Sequence, residues 1–193
     1  MGIIRLYEIC PEAEKAGTQN AVVTGVTDNT AEVKQGSIFV CVKGARFDGH
    51  SAAAEMLSKG AVMIVTDHDI KCGKQLVTDN TRLCLARLLN SFYGKPSEKL
   101  GLLAVTGTNG KTTTAHFVKH ILTTLGKKCG CIGTAGNDTC SGKLKPSQHG
   151  TPTVPRATVL YSWLGEMVSN GADYCVMEAS SQALDPVSYT HLR

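Results

Sequence analysis

Residues 106–114 read Thr-Gly-Thr-Asn-Gly-Lys-Thr-Thr-Thr, and each residue type in that run suits a polyphosphate. Glycines let the backbone approach a phosphate closely, and the exposed amides at a helix start point at the anion. Lys111 brings positive charge to the outer phosphates, and the Thr112 hydroxyl is placed to reach Mg2+. Gly107, Thr108, Asn109, Gly110, Lys111, Thr112 and Thr113 are therefore the candidate nucleotide-binding residues. The longer phosphate-loop consensus wants a glycine where this chain has Val105, so the loop is the short G-x-x-G-K-T form. Glu178 is the second chemical candidate, because it closes the apolar run Tyr174, Cys175, Val176, Met177. An acid ending a buried strand stands on the edge where open α/β sheets bind ligands. There it can hold Mg2+ or a metal-bound water opposite the phosphate loop. Lys111 and Glu178 are the candidate catalytic residues, and Thr112 and Glu178 the candidate metal ligands.

Strand, glycine loop and helix are the elements that must position these groups. The apolar segment 102–105 reads as a buried strand ahead of the loop. A helix is expected over 112–125, with Ala115, Val118, Ile121, Leu122 and Leu125 on one face and Gly126 as its stop. Strands are expected near 22–25, 37–42, 61–65, 75–77, 129–132 and at 174, and helices over 51–58, 81–92 and 157–169. Residues 94–98, Gly-Lys-Pro-Ser-Glu, read as a polar connector with a helix-breaking proline and as a domain boundary. The stretch 137–156 is rich in Gly, Pro, Ser and Thr and reads as one long loop. Strands alternating with helices imply a mainly parallel sheet covered on both faces.

Composition excludes some classes. The chain has 193 residues, enough for one large or two small domains, and a formal net charge of +4 spread without a basic run. With only 5% aromatic residues it offers little surface for stacking nucleic-acid bases. No apolar stretch approaches the ~18 residues of a membrane span, and residues 1–10 carry no signal-peptide core. The eight cysteines contain no C-x-x-C pair, so they are read as small hydrophobes in a reducing cytosol and not as a zinc site. His116 and His120 stand at i, i+4, but no Glu follows His116 as in H-E-x-x-H, and a solvated or packing role is expected.

The run 106–114 resembles the ATP loop of the Mur ligases, which build the peptide of cell-wall precursors; related loops occur in folylpolyglutamate and cyanophycin synthetases. The segment Glu178-Ala179-Ser180-Ser181-Gln182-Ala183-Leu184 resembles the E-V-S-S-H-A-L element of the tripeptide-forming branch of that family, with Ala for Val and Gln for His. Residues 36–44, Gly-Ser-Ile-Phe-Val-Cys-Val-Lys-Gly, followed by Asp48-Gly49-His50, are similar to the family's uridine-binding domain, as is Gly60-Ala61 before an apolar run. The family's D-S-R near the uracil stands here as Asp28-Asn29-Thr30, and its T-T-P element as Gly150-Thr151-Pro152.

What the resemblance implies is an α/β protein with an N-terminal uridine-nucleotide-binding domain, residues 1–94. The first part of a central phosphate-loop domain, residues 99–185, would follow. The reaction implied is ATP- and Mg2+-dependent amide formation on UDP-N-acetylmuramoyl-L-alanyl-D-glutamate. A carboxylate of that substrate attacks the γ-phosphate, and the acyl phosphate is captured by the amine of diaminopimelate or L-lysine. Asn29, Thr30, Ala45, Arg46, Gly150, Thr151 and Ser181 are the implied substrate contacts. A cytoplasmic monomer with no nucleic-acid or membrane partner is expected. Another ligase of the superfamily, such as folylpolyglutamate synthetase, a phosphate-loop NTPase and a UDP-sugar-binding module are the alternatives. Residues 186–193 depart from the family pattern and read as a non-native tail, so the chain is expected to be a truncated form without ligase activity of its own.

Overall fold

The computed structural model describes residues 4–10, 20–44, 47–145 and 155–179. They divide into two compact units between Phe92 and Tyr93. The first unit is built on four parallel strands, β3 (Gly25–Thr27), β4 (Ser37–Val40), β5 (Met63–Thr66) and β6 (Gln75–Val77), in that spatial order. Every residue of β4 and β5 is buried, as a sheet covered on both faces requires. Side chains alternate between faces. Phe39, Cys41 and Ile64 point to one side, where they pack with Ala53 and Met56 of α2 (Ala53–Ser58). Helix α3 (Thr81–Phe92) lies against β3, β4 and β5 and buries Leu85, Leu88 and Leu89.

The strand expected at 22–25 is two strands. β2 (Val22–Val23) pairs antiparallel with β1 (Ile4–Arg5), whereas β3 pairs parallel with β4. Between them Thr24 turns aside, its amide donating to Gly36 O at 3.0 Å and its hydroxyl to Gln35 O at 2.7 Å. A short helix, α1 (Leu6–Ile9), follows β1, and a 3-10 turn over Gly49–Ala52 leads into α2.

In the second unit, Gly94 and Lys95 take left-handed backbone angles, φ 76° and 58°, and Pro96 opens a four-residue helix, α4 (Pro96–Lys99). A connector broken by proline was expected there. Proline lacks an N–H that the first helical residue does not need, so it starts this helix. The sheet runs β10 (Leu144–Lys145), β9 (Asn137–Asp138), β8 (Cys129–Ile132), β11 (Tyr174–Glu178), β7 (Gly101–Val105). β8, β11 and β7 are parallel, and β9 and β10 are antiparallel additions. Helix α5 (Lys111–Thr124) covers the face carrying Cys129, Cys131 and Val176. Gly130 faces the other way, toward Met167 of α6 (Ala157–Ser169).

The β9–β10 ribbon corrects the expectation of a single loop from 137. Side chains from elsewhere hold it. Lys119 of α5 pairs with Asp138 at 2.5 Å, Lys145 pairs with Glu166 of α6, and Asn170 Nδ2 donates to Thr139 O at 2.9 Å. Cys10, Cys41, Cys129, Cys131 and Cys175 are buried and none of the eight cysteines is in a disulfide, in keeping with the reading of small hydrophobes. Burial pushes the Cys41 thiol up to about 12. Among the described residues no helix is long and apolar enough to cross a membrane.

Candidate active site

β7 ends at Val105, and residues 106–110 form an exposed loop that delivers the chain to the start of α5. Two positions in it need glycine, since Gly107 has φ 144° and Gly110 φ 78°. Gly110 is the N-cap of α5 and supplies no side-chain cap. The first-turn amides of α5 have no intrahelical acceptor, so they face the loop as anion donors. The helix starts at Lys111, one residue earlier than expected, which places the lysine on its first turn. Lys111 Nζ folds back on the loop, 2.8 Å from Gly107 O and 3.4 Å from Thr108 O. The cation is thereby held at the mouth of the loop.

The register Glu178↔Val105 sets the acid beside the end of the strand that feeds the loop, and the ladder continues as Ala179 N donates to Val105 O at 2.8 Å. Glu178 is 2% exposed. Its Oε1 accepts from the Thr134 amide at 3.0 Å, and the Thr134 hydroxyl lies 3.0 and 3.2 Å from its two oxygens. Thr134 Oγ1 in turn lies 2.9 Å from Thr112 Oγ1. A carboxylate offers only acceptors, so the Thr134 hydroxyl donates to Glu178 and must accept from Thr112. That order leaves the lone pairs of Thr112 Oγ1 free for a metal. Gly133 makes room for this arrangement, because a Cβ there would run into the Glu178 carboxylate.

Thr134 is the residue of this candidate site that sequence reasoning missed. Its one signal was position: it follows β8 on the sheet edge that carries the loop and Glu178. The ion pair of Lys119 with Asp138 braces this corner by tying α5 to β9. Burial pushes the Lys119 ammonium down, the hydrogen bond and charge of Asp138 lead the effects that push it up, and it sits above its ordinary value. Burial likewise raises Asp138, but Lys119 and the Cys140 amide hold it below the ordinary aspartate value.

The structure thus brings Lys111, Thr112 and Glu178 together on one sheet edge. Asn29 and Thr30 belong to the other unit, just after β3. The Asn29 side chain serves its own loop, with Nδ2 donating to Glu32 Oε1 at 3.0 Å and Oδ1 accepting from the Ala31 amide at 3.1 Å. Ala45, Arg46, Gly150, Thr151 and Ser181 lie outside the described residues.

An α/β unit whose glycine loop runs from a parallel strand into a helix, with a buried acid on the neighbouring strand, is a phosphate-loop protein. Residues 22–104 match the model of the Mur ligase family, catalytic domain, and residues 105–191 that of the Mur ligase middle domain. The chain belongs to the Mur ligase family. It is 38% identical over 172 residues to UDP-N-acetylmuramoyl-L-alanyl-D-glutamate–2,6-diaminopimelate ligase 2 of Clostridium acetobutylicum, covering 87% of this chain and 35% of that protein. It is 38% identical over 180 residues to UDP-N-acetylmuramyl-tripeptide synthetase of Deinococcus radiodurans, covering 90% and 36%. A solved UDP-N-acetylmuramoyl-L-alanyl-D-glutamate–2,6-diaminopimelate ligase superposes with a TM-score of 0.74 at 25% identity, over 96% of this chain and 37% of that one. A MurF ligase from Thermotoga maritima, solved with ADP, gives 0.53 at 25% identity, over 81% and 32%. The chain spans about a third of the length of these relatives.

Proposed function

We propose that this chain is the uridine-binding and partial ATP-binding portion of a peptidoglycan-precursor ligase. The enzyme would join diaminopimelate or L-lysine to UDP-N-acetylmuramoyl-L-alanyl-D-glutamate at the expense of ATP. One observation carries the catalytic part. Glu178 is almost wholly buried, takes its hydrogen bonds from Thr134, and has no ion-pair partner among the described residues. A buried carboxylate without a cation is costly, and Thr112 presents free lone pairs on the same side. These two side chains fit Mg2+, and Thr134 fixes both. The relatives named as diaminopimelate ligases support the substrate assignment.

ATP would supply the phosphoryl group that activates the substrate carboxylate, with Mg2+ neutralising its charge. Lys111 would leave the carbonyls of Gly107 and Thr108 for the outer phosphates, and the first-turn amides of α5 would hold them. This is catalysis by positioning and charge neutralisation. Residues 1–94 would carry the uridine nucleotide, through Asn29, Thr30, Ala45 and Arg46. Gly150, Thr151 and Ser181 would meet the muramyl peptide from the central domain, residues 99–185. The protein would act in the cytoplasm as a monomer, without a nucleic-acid or membrane partner.

The test is phosphate release by the protein carrying this chain, extended to the length of its relatives. It is offered ATP and Mg2+ with UDP-N-acetylmuramoyl-L-alanyl-D-glutamate and either diamino acid. Turnover that needs both substrates and vanishes in Lys111→Ala is expected. Turnover with a folate and glutamate instead would overturn the assignment.

A further inference from the structure

Outside the nucleotide corner, one cluster of ligating side chains among the described residues is left unused. It lies in the first unit, beyond the C-terminal ends of β4 and β5, where His50, Asp67 and His68 each offer an atom within 4.8 Å of the others. His50 reaches it from the 3-10 turn ahead of α2, and Asp67 and His68 directly follow β5.

The His50 side chain is only 9% exposed, and its two nitrogens are treated differently. Nδ1 lies 2.5 Å from Asp48 Oδ1. That contact places a proton on Nδ1, so in the neutral ring Nε2 carries the lone pair. Nε2 is buried and has no hydrogen-bond partner among the described residues. It lies 3.1 Å from Asp67 Oδ1, within ion-pair distance but outside hydrogen-bond geometry. A buried imidazole nitrogen left unsatisfied is costly, and here it is aimed at a carboxylate. His68 Nδ1 approaches the same oxygen at 2.5 Å, and the two rings sit 4.8 Å apart at 30°. Two imidazoles and one carboxylate thus converge, with Asp48 behind the buried histidine as the carboxylate that orients a metal-bound imidazole. Asp67 and His68 are 45% and 62% exposed, which gives an ion a way in from solvent.

We propose that His50 Nε2, Asp67 and His68 form a binding site for a borderline transition-metal dication of the Zn2+ type, with Asp48 as the positioning residue. Two imidazoles and a carboxylate are a donor set for zinc, leaving a fourth position to water. Oxygen-only cations such as Mg2+ and Ca2+ are disfavoured by two nitrogen ligands.

The experiment titrates Zn2+ into the full chain without nucleotide, with the cysteines kept reduced by a phosphine, so its outcome does not depend on the ligase reading. Binding is followed by equilibrium dialysis and by the imidazole nitrogen resonances of 15N-histidine-labelled protein. One equivalent should bind and move the His50 Nε2 resonance in the unaltered chain. His68→Ala and Asp67→Asn, both at exposed side chains, should each weaken it at least 10-fold. Asp48→Asn should weaken it roughly 10- to 100-fold by loosening the His50 ring. The double variant His116→Ala/His120→Ala on α5 should leave it unchanged. No displacement of the His50 resonance, binding unaltered in His68→Ala and Asp67→Asn, or binding abolished by cysteine alkylation or by the α5 double variant would each overturn the proposal.

Discussion

Replacing Thr134 with valine removes one hydroxyl and keeps the shape and the backbone amide. The amide at 3.0 Å remains as a donor to Glu178, and the hydroxyl at 3.0 and 3.2 Å is lost. Hydrogen bonds to charged groups contribute about 1.5–3 kcal/mol. Glu178 is 2% exposed, but Thr134 is itself exposed, so water offsets part of the loss and the low end of that range applies. Thr112 is only partly buried and can turn to solvent, so its loss adds little. Thr134→Val should therefore cost about 1.5 kcal/mol of unfolding free energy, about 3–6 °C in Tm for a protein of this size. The chain's only tryptophan, Trp163, is in α6 of the same unit, so urea unfolding followed by its fluorescence reports the relevant transition. In a cycle with Glu178→Gln the two changes should be coupled by about 1 kcal/mol or more. A Thr134→Val transition within about 0.5 kcal/mol of the parent would refute the donor chain from Thr112 through Thr134 to Glu178.

Two further outcomes follow from the packing around this corner. Asp138→Asn should destabilise the second unit by about 1.5 kcal/mol, the low end for a hydrogen bond to a charged group, because about a quarter of each partner's side chain is exposed. Since Asp138 titrates below its ordinary 3.8 when folded, the parent's advantage should be full well above that value. It should fade as pH falls through the lower folded value, in urea midpoints measured across pH. Gly130→Ala should cost about 1–3 kcal/mol, because the added Cβ would sit 2.6 Å from Met167 Sδ and 2.9 Å from the backbone Asp138 O; equilibrium unfolding of the variant checks it.

The phosphate loop was readable because its chemistry is local. Gly107 and Gly110 announce their backbone angles, and Lys111 and Thr112 sit at fixed offsets from them. Glu178 was readable because an apolar run ends on it. Thr134 was not, because a single threonine after a glycine carries no motif. Its role arises only when β8 lies beside β11 in the register Met177↔Ile132. The β9–β10 ribbon was hidden for a similar reason, since Asp138 and Lys145 find their partners on α5 and α6. Pro96 was misread because the residue that breaks a helix interior also begins one. His50 was noticed only as part of Asp48-Gly49-His50. Its nearness to Asp67 and His68 depends on how the turn after β4 meets the end of β5.

The most direct test of the central claim is the affinity of this chain for ATP, measured by calorimetry with and without Mg2+. Comparison is made with Lys111→Ala and Glu178→Gln. The site described predicts one Mg2+-dependent nucleotide per chain. Lys111→Ala should weaken it at least 10-fold, and Glu178→Gln should raise the magnesium concentration needed. Equal ATP binding by the parent and Lys111→Ala, or binding indifferent to magnesium in all three proteins, would contradict it.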